Sequence, residues 1–245
     1  REGDHADRAV VGRHRGGFTP FSCALSRVVQ PGVEFGDQEV IDYRPELSRP
    51  LSQFIESFDH LVYEAHSTDY QLPAGLRQLV ENHFAILKVG PALTYALREA
   101  VFALAQVEEE ALGGRPLVQL SQVRAALENA MQTNPKDWQK YYQGDPHSVA
   151  LARKYSYSDR IRYYWAAPAV KSALGLLLQN LENHPIPDSL VSQYLPAQYW
   201  KVRNGELDGS PRAIIQDKIQ EVLQDYAYAC SFRTAPGSRH SFIKG

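Results

Sequence analysis

Three short runs with strand character, each closed by a turn signal, set the tightest limit on what this chain can fold into. Arg27-Val28-Val29-Gln30 stops at Pro31-Gly32. Leu61-Val62-Tyr63-Glu64-Ala65-His66 stops at Ser67-Thr68-Asp69, and Phe84-Ala85-Ile86-Leu87-Lys88-Val89 at Gly90-Pro91. Helical patterns lie between and after them. Leu51 to Phe58 carries apolar residues at 51, 54, 55 and 58, and Pro73 to His83 is a second candidate. The run after Pro91 is the strongest, with Leu93, Leu97, Val101, Leu104 and Val107 at three- and four-residue steps. Pro91 suits its first turn, where a backbone N–H would have no partner anyway. Strand and helix alternating at about 30 residues per unit predict parallel strands joined by right-handed crossovers.

After Leu112 the pattern changes. Gly113-Gly114-Arg115-Pro116 is a break, and no later segment has the pattern of a strand. Helices are expected at 119–132, 145–153, 168–182 and 211–229. The last has Ser210 as its N-cap, Pro211 in its first turn, and Ile215, Ile219, Val222 and Tyr226 on one face. Residues 1–26 show neither period and are expected to be a disordered or non-native leader. Residues 231–245, rich in Ser, Gly and Arg, are expected to be a mobile tail. That leaves 27–112 as three βα units and 113–230 as a helical extension. A closed parallel barrel of the common type needs eight strands and about 250 residues. Three βα units cannot close one. The expected fold is therefore α/β, the carboxyl-terminal portion of a TIM (β/α)8-type barrel followed by helices, with further strands encoded upstream. The alternative is a small helix-covered sheet.

Composition excludes several classes. With 245 residues and a formal charge of -2, the chain can bury a core and gives no reason to expect nucleic acid or a membrane surface as partner. Cys23 and Cys230 lie far apart and make no metal-ligand spacing, which favours a reducing compartment. No apolar run approaches the roughly 18 residues of a membrane span, and Arg1 to Gly17 lacks the apolar stretch of a secretory signal. A soluble cytoplasmic protein is expected. No GxxxxGK[ST] loop, GxGxxG turn, HExxH motif or nucleophile elbow occurs, so a kinase-like ATP site has no visible anchor.

Strand alternation sorts the side chains that could carry chemistry. Val62, Glu64 and His66 share one face of the second strand, and Leu61, Tyr63 and Ala65 the other. In the third, Ile86, Lys88 and Gly90 oppose Ala85, Leu87 and Val89. The apolar sets should meet the helices. Glu64, His66 and Lys88 should then gather near the carboxyl ends of the strands, where barrel enzymes place reacting groups, with Gln30 joining them. Three readings stand. Glu64 and Lys88 form a buried ion pair. Alternatively, Lys88 and the Gly90-Pro91 turn anchor a phosphate at a helix amino terminus. The third is metal-assisted or Schiff-base catalysis, although one histidine beside one carboxylate falls short of the usual three zinc ligands. His83 precedes its strand and belongs at the opposite end. Tyr155 to Trp165 interleaves aromatic and basic residues. It could stack bases or meet a partner subunit, but reads better as a packing seam in which Ser158 or Asp159 caps a short helix.

The strings Gln30 to Gly36, Tyr63 to Gln71 and Ile86 to Thr94, with Tyr155 to Trp165 and Ser192 to Pro196 downstream, resemble the non-catalytic Z-type subunit family of D-tagatose-1,6-bisphosphate aldolase. The resemblance covers about residues 27–230. It implies a barrel related to metal-dependent sugar-bisphosphate aldolases, with helices after the eighth strand. It also implies an accessory, chaperone-like role in the activity and stability of a catalytic Y-type subunit, in tagatose 6-phosphate degradation during galactitol or N-acetylgalactosamine catabolism. No aldolase activity and no cofactor are implied for this chain by itself, since zinc would belong to the catalytic partner. The family's amino-terminal strands, including a Gly-Gly-Asp-His-Leu-Gly-Pro run, have no counterpart here. The other reading is a sugar-phosphate enzyme, of aldolase or tagatose-6-phosphate kinase type, using Glu64, His66, Lys88 and Gly90.

Overall fold

The computed structural model describes residues 9–10 and 24–231. Most of the expected leader, Cys23 and the tail after Ser231 lie outside the described residues. The chain divides into two compact units, one built from the chain up to Phe35, Glu39–Gly90 and the chain from Gln224, the other from Gly36–Gln38 and Pro91–Leu223.

The first unit contains β1 (Ala9–Val10), β2 (Ala24–Val29), β3 (Glu34–Phe35), β4 (Val40–Ile41), α1 (Pro45–Ile55), β5 (Leu61–Ala65), α2 (Pro73–Glu81) and β6 (Ile86–Leu87). The main sheet has the order β1-β2-β5-β6. β2 runs parallel to β5 and β5 to β6, as the strand–helix alternation predicts, while β1 joins antiparallel to β2. That antiparallel strand comes from a stretch in which the sequence shows no period. β3 and β4 form a separate antiparallel pair.

One face of β5 carries the core. Tyr63 and Ala65 are buried with Leu76 and Leu79 of α2, Ile55 of α1 and Phe84. The Phe84 ring lies between Tyr43 and Tyr63, at centroid distances of 6.3 Å and 5.4 Å. α1 begins at Pro45, six residues before the apolar period suggests, because a proline in the first turn forfeits no hydrogen bond. Its buried side includes Ser48 and Ser52. Each finds a partner: Ser48 bonds to the Tyr43 hydroxyl, and Ser52 donates to the Asn82 carbonyl at 3.1 Å. α2 stops before the expected His83, which takes a left-handed φ of 72° and so breaks the helical register. Only Ile86–Leu87 of the third run is laddered.

The second unit is helical. It holds α3 (Pro91–Leu112), α4 (Val123–Thr133), α5 (Pro146–Tyr155), α6 (Pro168–Asn183), α7 (Asp188–Tyr194), α8 (Pro196–Arg203) and most of α9 (Pro211–Ala229). 3-10 turns occupy Pro135–Asp137 and Arg160–Tyr164. Val101, Leu104 and Val107 of α3 pack with Leu127 and Met131 of α4, Leu177 of α6 and Ile214 of α9. The helix expected at 211–229 has those bounds, and those expected at 119–132, 145–153 and 168–182 are present with ends shifted by a few residues. α7 and α8, separated at Pro196, are too short to show a period, and the sequence gives no sign of them. Among the described residues no helix is long and apolar enough to cross a membrane.

Candidate functional site

Register places the expected cluster. Val28 stands opposite Glu64 and Glu64 opposite Ile86, while Val29, Ala65 and Leu87 form the next rung. One step further along, Gln30, His66 and Lys88 are level at the carboxyl ends. The backbone supports that rung: His66 N donates to Val29 O at 3.5 Å and Lys88 N to Ala65 O at 3.0 Å. Because side chains alternate, residues 28, 64 and 86 and residues 30, 66 and 88 project from one face, opposite to the buried Tyr63 and Ala65. Val28 on this face is 41% exposed.

The pairing within the cluster differs from the buried ion pair expected of Glu64 and Lys88. Glu64 Oε1 lies 3.0 Å from His66 Nε2, two residues along the same strand. Lys88 is exposed, and no ion pair joins it to Glu64. The reason is reach: a lysine at the strand end can turn its ammonium into water, whereas the imidazole already stands beside the carboxylate. Gln30 Nε2 donates to Ser67 Oγ at 3.4 Å.

The phosphate-anchor expectation meets a competitor. The Gly90 N–H donates to Asp69 Oδ1 at 2.8 Å, so a carboxylate of the chain itself occupies the donor that an anion would use. Asp69 and its neighbour Thr68 are both buried, and Thr68 Oγ1 donates to the Lys88 carbonyl at 2.7 Å. The signal for these two residues was the Ser67-Thr68-Asp69 turn, legible in sequence only as a strand stop. His83 pairs with Glu56 at 3.0 Å ahead of β6, away from the carboxyl ends. Among the described residues no group of three or more His, Cys, Asp or Glu side chains is placed to hold a metal ion.

The Tyr155 to Trp165 segment is a packing seam. Ile161 and Tyr164 are buried, and the Tyr164 hydroxyl donates to Asn134 O at 2.5 Å. The expected cap is not made. Asp159 precedes the 3-10 turn in a left-handed conformation, φ 46°, and accepts no capping hydrogen bond. Its carboxylate serves Thr94 and Arg98 of α3 instead. The Asp37 carboxylate takes Ser156 Oγ at 2.7 Å, and Tyr142 and Ser158 hydroxyls meet at 3.1 Å. These groups satisfy one another.

Parallel strands with polar side chains gathered at their carboxyl ends, followed by helices, define a mixed α/β protein. The family model for the D-tagatose-1,6-bisphosphate aldolase subunit GatZ/KbaZ-like proteins matches residues 14–231, and the chain belongs to that family. A solved structure described as a probable tagatose 6 phosphate kinase from Sinorhizobium meliloti 1021 matches with a TM-score of 0.80 at 43% identity. The match covers 84% of this chain and 52% of that one, so this chain spans about half the length of that relative.

Proposed function

We propose that this chain is an accessory, non-catalytic component of a cytoplasmic tagatose-1,6-bisphosphate aldolase, supporting the activity and stability of the catalytic Y-type subunit in a chaperone-like manner. The reaction would serve tagatose 6-phosphate degradation in galactitol or N-acetylgalactosamine catabolism, with zinc held by the catalytic partner. The family match over residues 14–231 carries this reading. The pairings at the strand ends agree with it: the Glu64 carboxylate is engaged by His66 and the Gly90 N–H by Asp69, which leaves the cluster turned on itself. Co-purification with the catalytic subunit, followed by its activity and melting temperature with and without this chain, tests the proposal. The chain should bind and raise both; unchanged activity and stability would sink it.

A second reading is a sugar-phosphate site formed by Glu64, His66, Lys88 and Gly90. The observation in its favour is Lys88, an exposed cation level with His66 on the open face. Turnover of tagatose 1,6-bisphosphate or tagatose 6-phosphate by the purified chain would promote this reading. Phosphate binding that disappears in Lys88→Ala would support a ligand site without chemistry.

A further inference from the structure

Ser67, Thr68 and Asp69 touch the carboxyl ends of all three parallel strands. Ser67 accepts from Gln30 after β2, Thr68 donates to the Lys88 carbonyl after β6, and Asp69 accepts from the Gly90 N–H. Residues on both sides of the Thr68–Asp69 pair adopt left-handed backbone, with φ 57° at Ser67 and 65° at Tyr70. L-residues avoid that conformation, so intrinsic preference does not hold the turn; its partners do.

A further partner comes from the end of α9. The Tyr226 hydroxyl lies 2.9 Å from the Thr68 carbonyl and 3.0 Å from Thr68 Oγ1. A proton count orders these contacts. Thr68 has one hydroxyl proton, and it goes to Lys88 O at 2.7 Å. Toward Tyr226, Thr68 can therefore only accept, and the single phenol proton goes to the Thr68 carbonyl at 2.9 Å, with Oγ1 beside it at 3.0 Å. Burial raises the Tyr226 hydroxyl above its ordinary value, which keeps that proton in place at neutral pH. The same stretch of chain is fixed twice more. Ala229 is buried in the core of the first unit, and Arg77 Nη1 donates to Ser231 O at 2.6 Å while its guanidinium lies over the Tyr228 ring.

We propose that the end of α9 is a strap for the strand-end cluster, with Tyr226 acting through Thr68 as a positioning residue that fixes where Lys88 and Gly90 stand. The relay runs from the Tyr226 hydroxyl to Thr68 and from Thr68 to the Lys88 backbone. It sets the height of Lys88 relative to His66 whether the cluster serves a partner subunit or a sugar phosphate.

Local hydrogen exchange on the full chain tests this, comparing wild type, Tyr226→Phe, Thr68→Val and Thr68→Ser. Phenylalanine keeps the partly buried ring and removes only the hydroxyl, and serine keeps the relay oxygen. Tyr226→Phe and Thr68→Val should each speed exchange in residues 64–72 and 84–90 by about five- to tenfold, the loss expected for one hydrogen bond. Thr68→Ser should stay near wild type. Exchange unchanged in Tyr226→Phe would overturn the proposal. So would acceleration in Thr68→Ser equal to that in Thr68→Val, or acceleration that extends equally to α4 and α6. None of these readouts depends on the catalytic subunit, so their failure leaves the accessory role standing.

Discussion

Arg98 and Asp159 form an ion pair almost wholly shut off from solvent, with Arg98 Nε 3.4 Å from Asp159 Oδ1. Thr94 donates to the other carboxylate oxygen at 2.5 Å. The Arg98 guanidinium lies 3.9 Å from the Tyr95 ring centroid, and its Nη2 has no hydrogen-bond partner. The attraction is therefore delivered through one longish contact, while both charges bear the cost of leaving water. Burial dominates: it pushes the Asp159 carboxyl from 3.8 up to about 6, against the opposing pull of Thr94, Arg98 and Arg162.

A pH dependence follows from that shift. The folded chain holds the Asp159 proton more tightly than the unfolded one, which titrates near 3.8. The stability from this group is fully present below about 3.8 and is lost as pH rises through about 6, an effect on the order of 2–3 kcal/mol. Urea unfolding of wild type and Asp159→Asn between pH 4 and 7.5 should show a gap that changes by that amount across the window. A gap independent of pH would show that Asp159 titrates alike in both states.

Glu108 is a heavily committed carboxylate of the second unit. It is buried on α3 and accepts from Ser121 N at 3.1 Å, Ser121 Oγ at 2.5 Å and Asn180 Nδ2 at 2.7 Å. Glu108→Ala strands those buried donors and should cost about 3–5 kcal/mol. Glu108→Gln keeps the shape but turns an amide donor toward other donors, and should cost about 2–3 kcal/mol. Denaturant midpoints at unchanged m-value are the measurement.

In the first unit, Phe84 fills the space between two tyrosine rings and is fully buried. Phe84→Ala should destabilise by about 3–5 kcal/mol, and Phe84→Leu by much less, because it leaves a smaller cavity. Equal costs for the two would mean that the ring contacts, rather than the volume, hold the site.

What the sequence revealed, and what it concealed, divides along a physical line. Alternation in Leu61 to His66 separates Tyr63 and Ala65, on the face that meets the helices, from Glu64 and His66 on the opposite face, because a two-residue period leaves no other option. The three- and four-residue steps of Val101, Leu104 and Val107 likewise found the core face of α3. Partners are another matter. Glu64 pairing with His66 rather than Lys88 depends on rotamers and on whether a long side chain finds water. Arg98, Glu108, Asp217 and Glu221 are buried polar residues on otherwise apolar faces. Most of their partners lie elsewhere, since Asp217 and Glu221 are met by Gln198 and Lys201 of a different helix. Tyr226 shares one face of α9 with Ile215, Ile219 and Val222, but its hydroxyl's target lies 158 positions away in sequence.

The strand-end cluster makes a prediction of its own, because its two possible pairings carry different energies. If Glu64 and Lys88 do not interact, Lys88→Met should change stability by no more than about 0.5 kcal/mol, and a Glu64→Gln/Lys88→Met cycle should couple by less than about 0.3 kcal/mol. Glu64 and His66, 3.0 Å apart and partly shielded, should couple by about 0.5–1 kcal/mol in the Glu64→Gln/His66→Gln cycle. The first cycle should also respond weakly to salt, since an exposed lysine beyond hydrogen-bond range is largely screened at physiological ionic strength. A Glu64–Lys88 coupling above about 1 kcal/mol would restore the buried pair and take Lys88 out of solvent. The exposed cation that favours a phosphate ligand would then be gone, because one ammonium cannot both neutralise Glu64 and face an incoming anion.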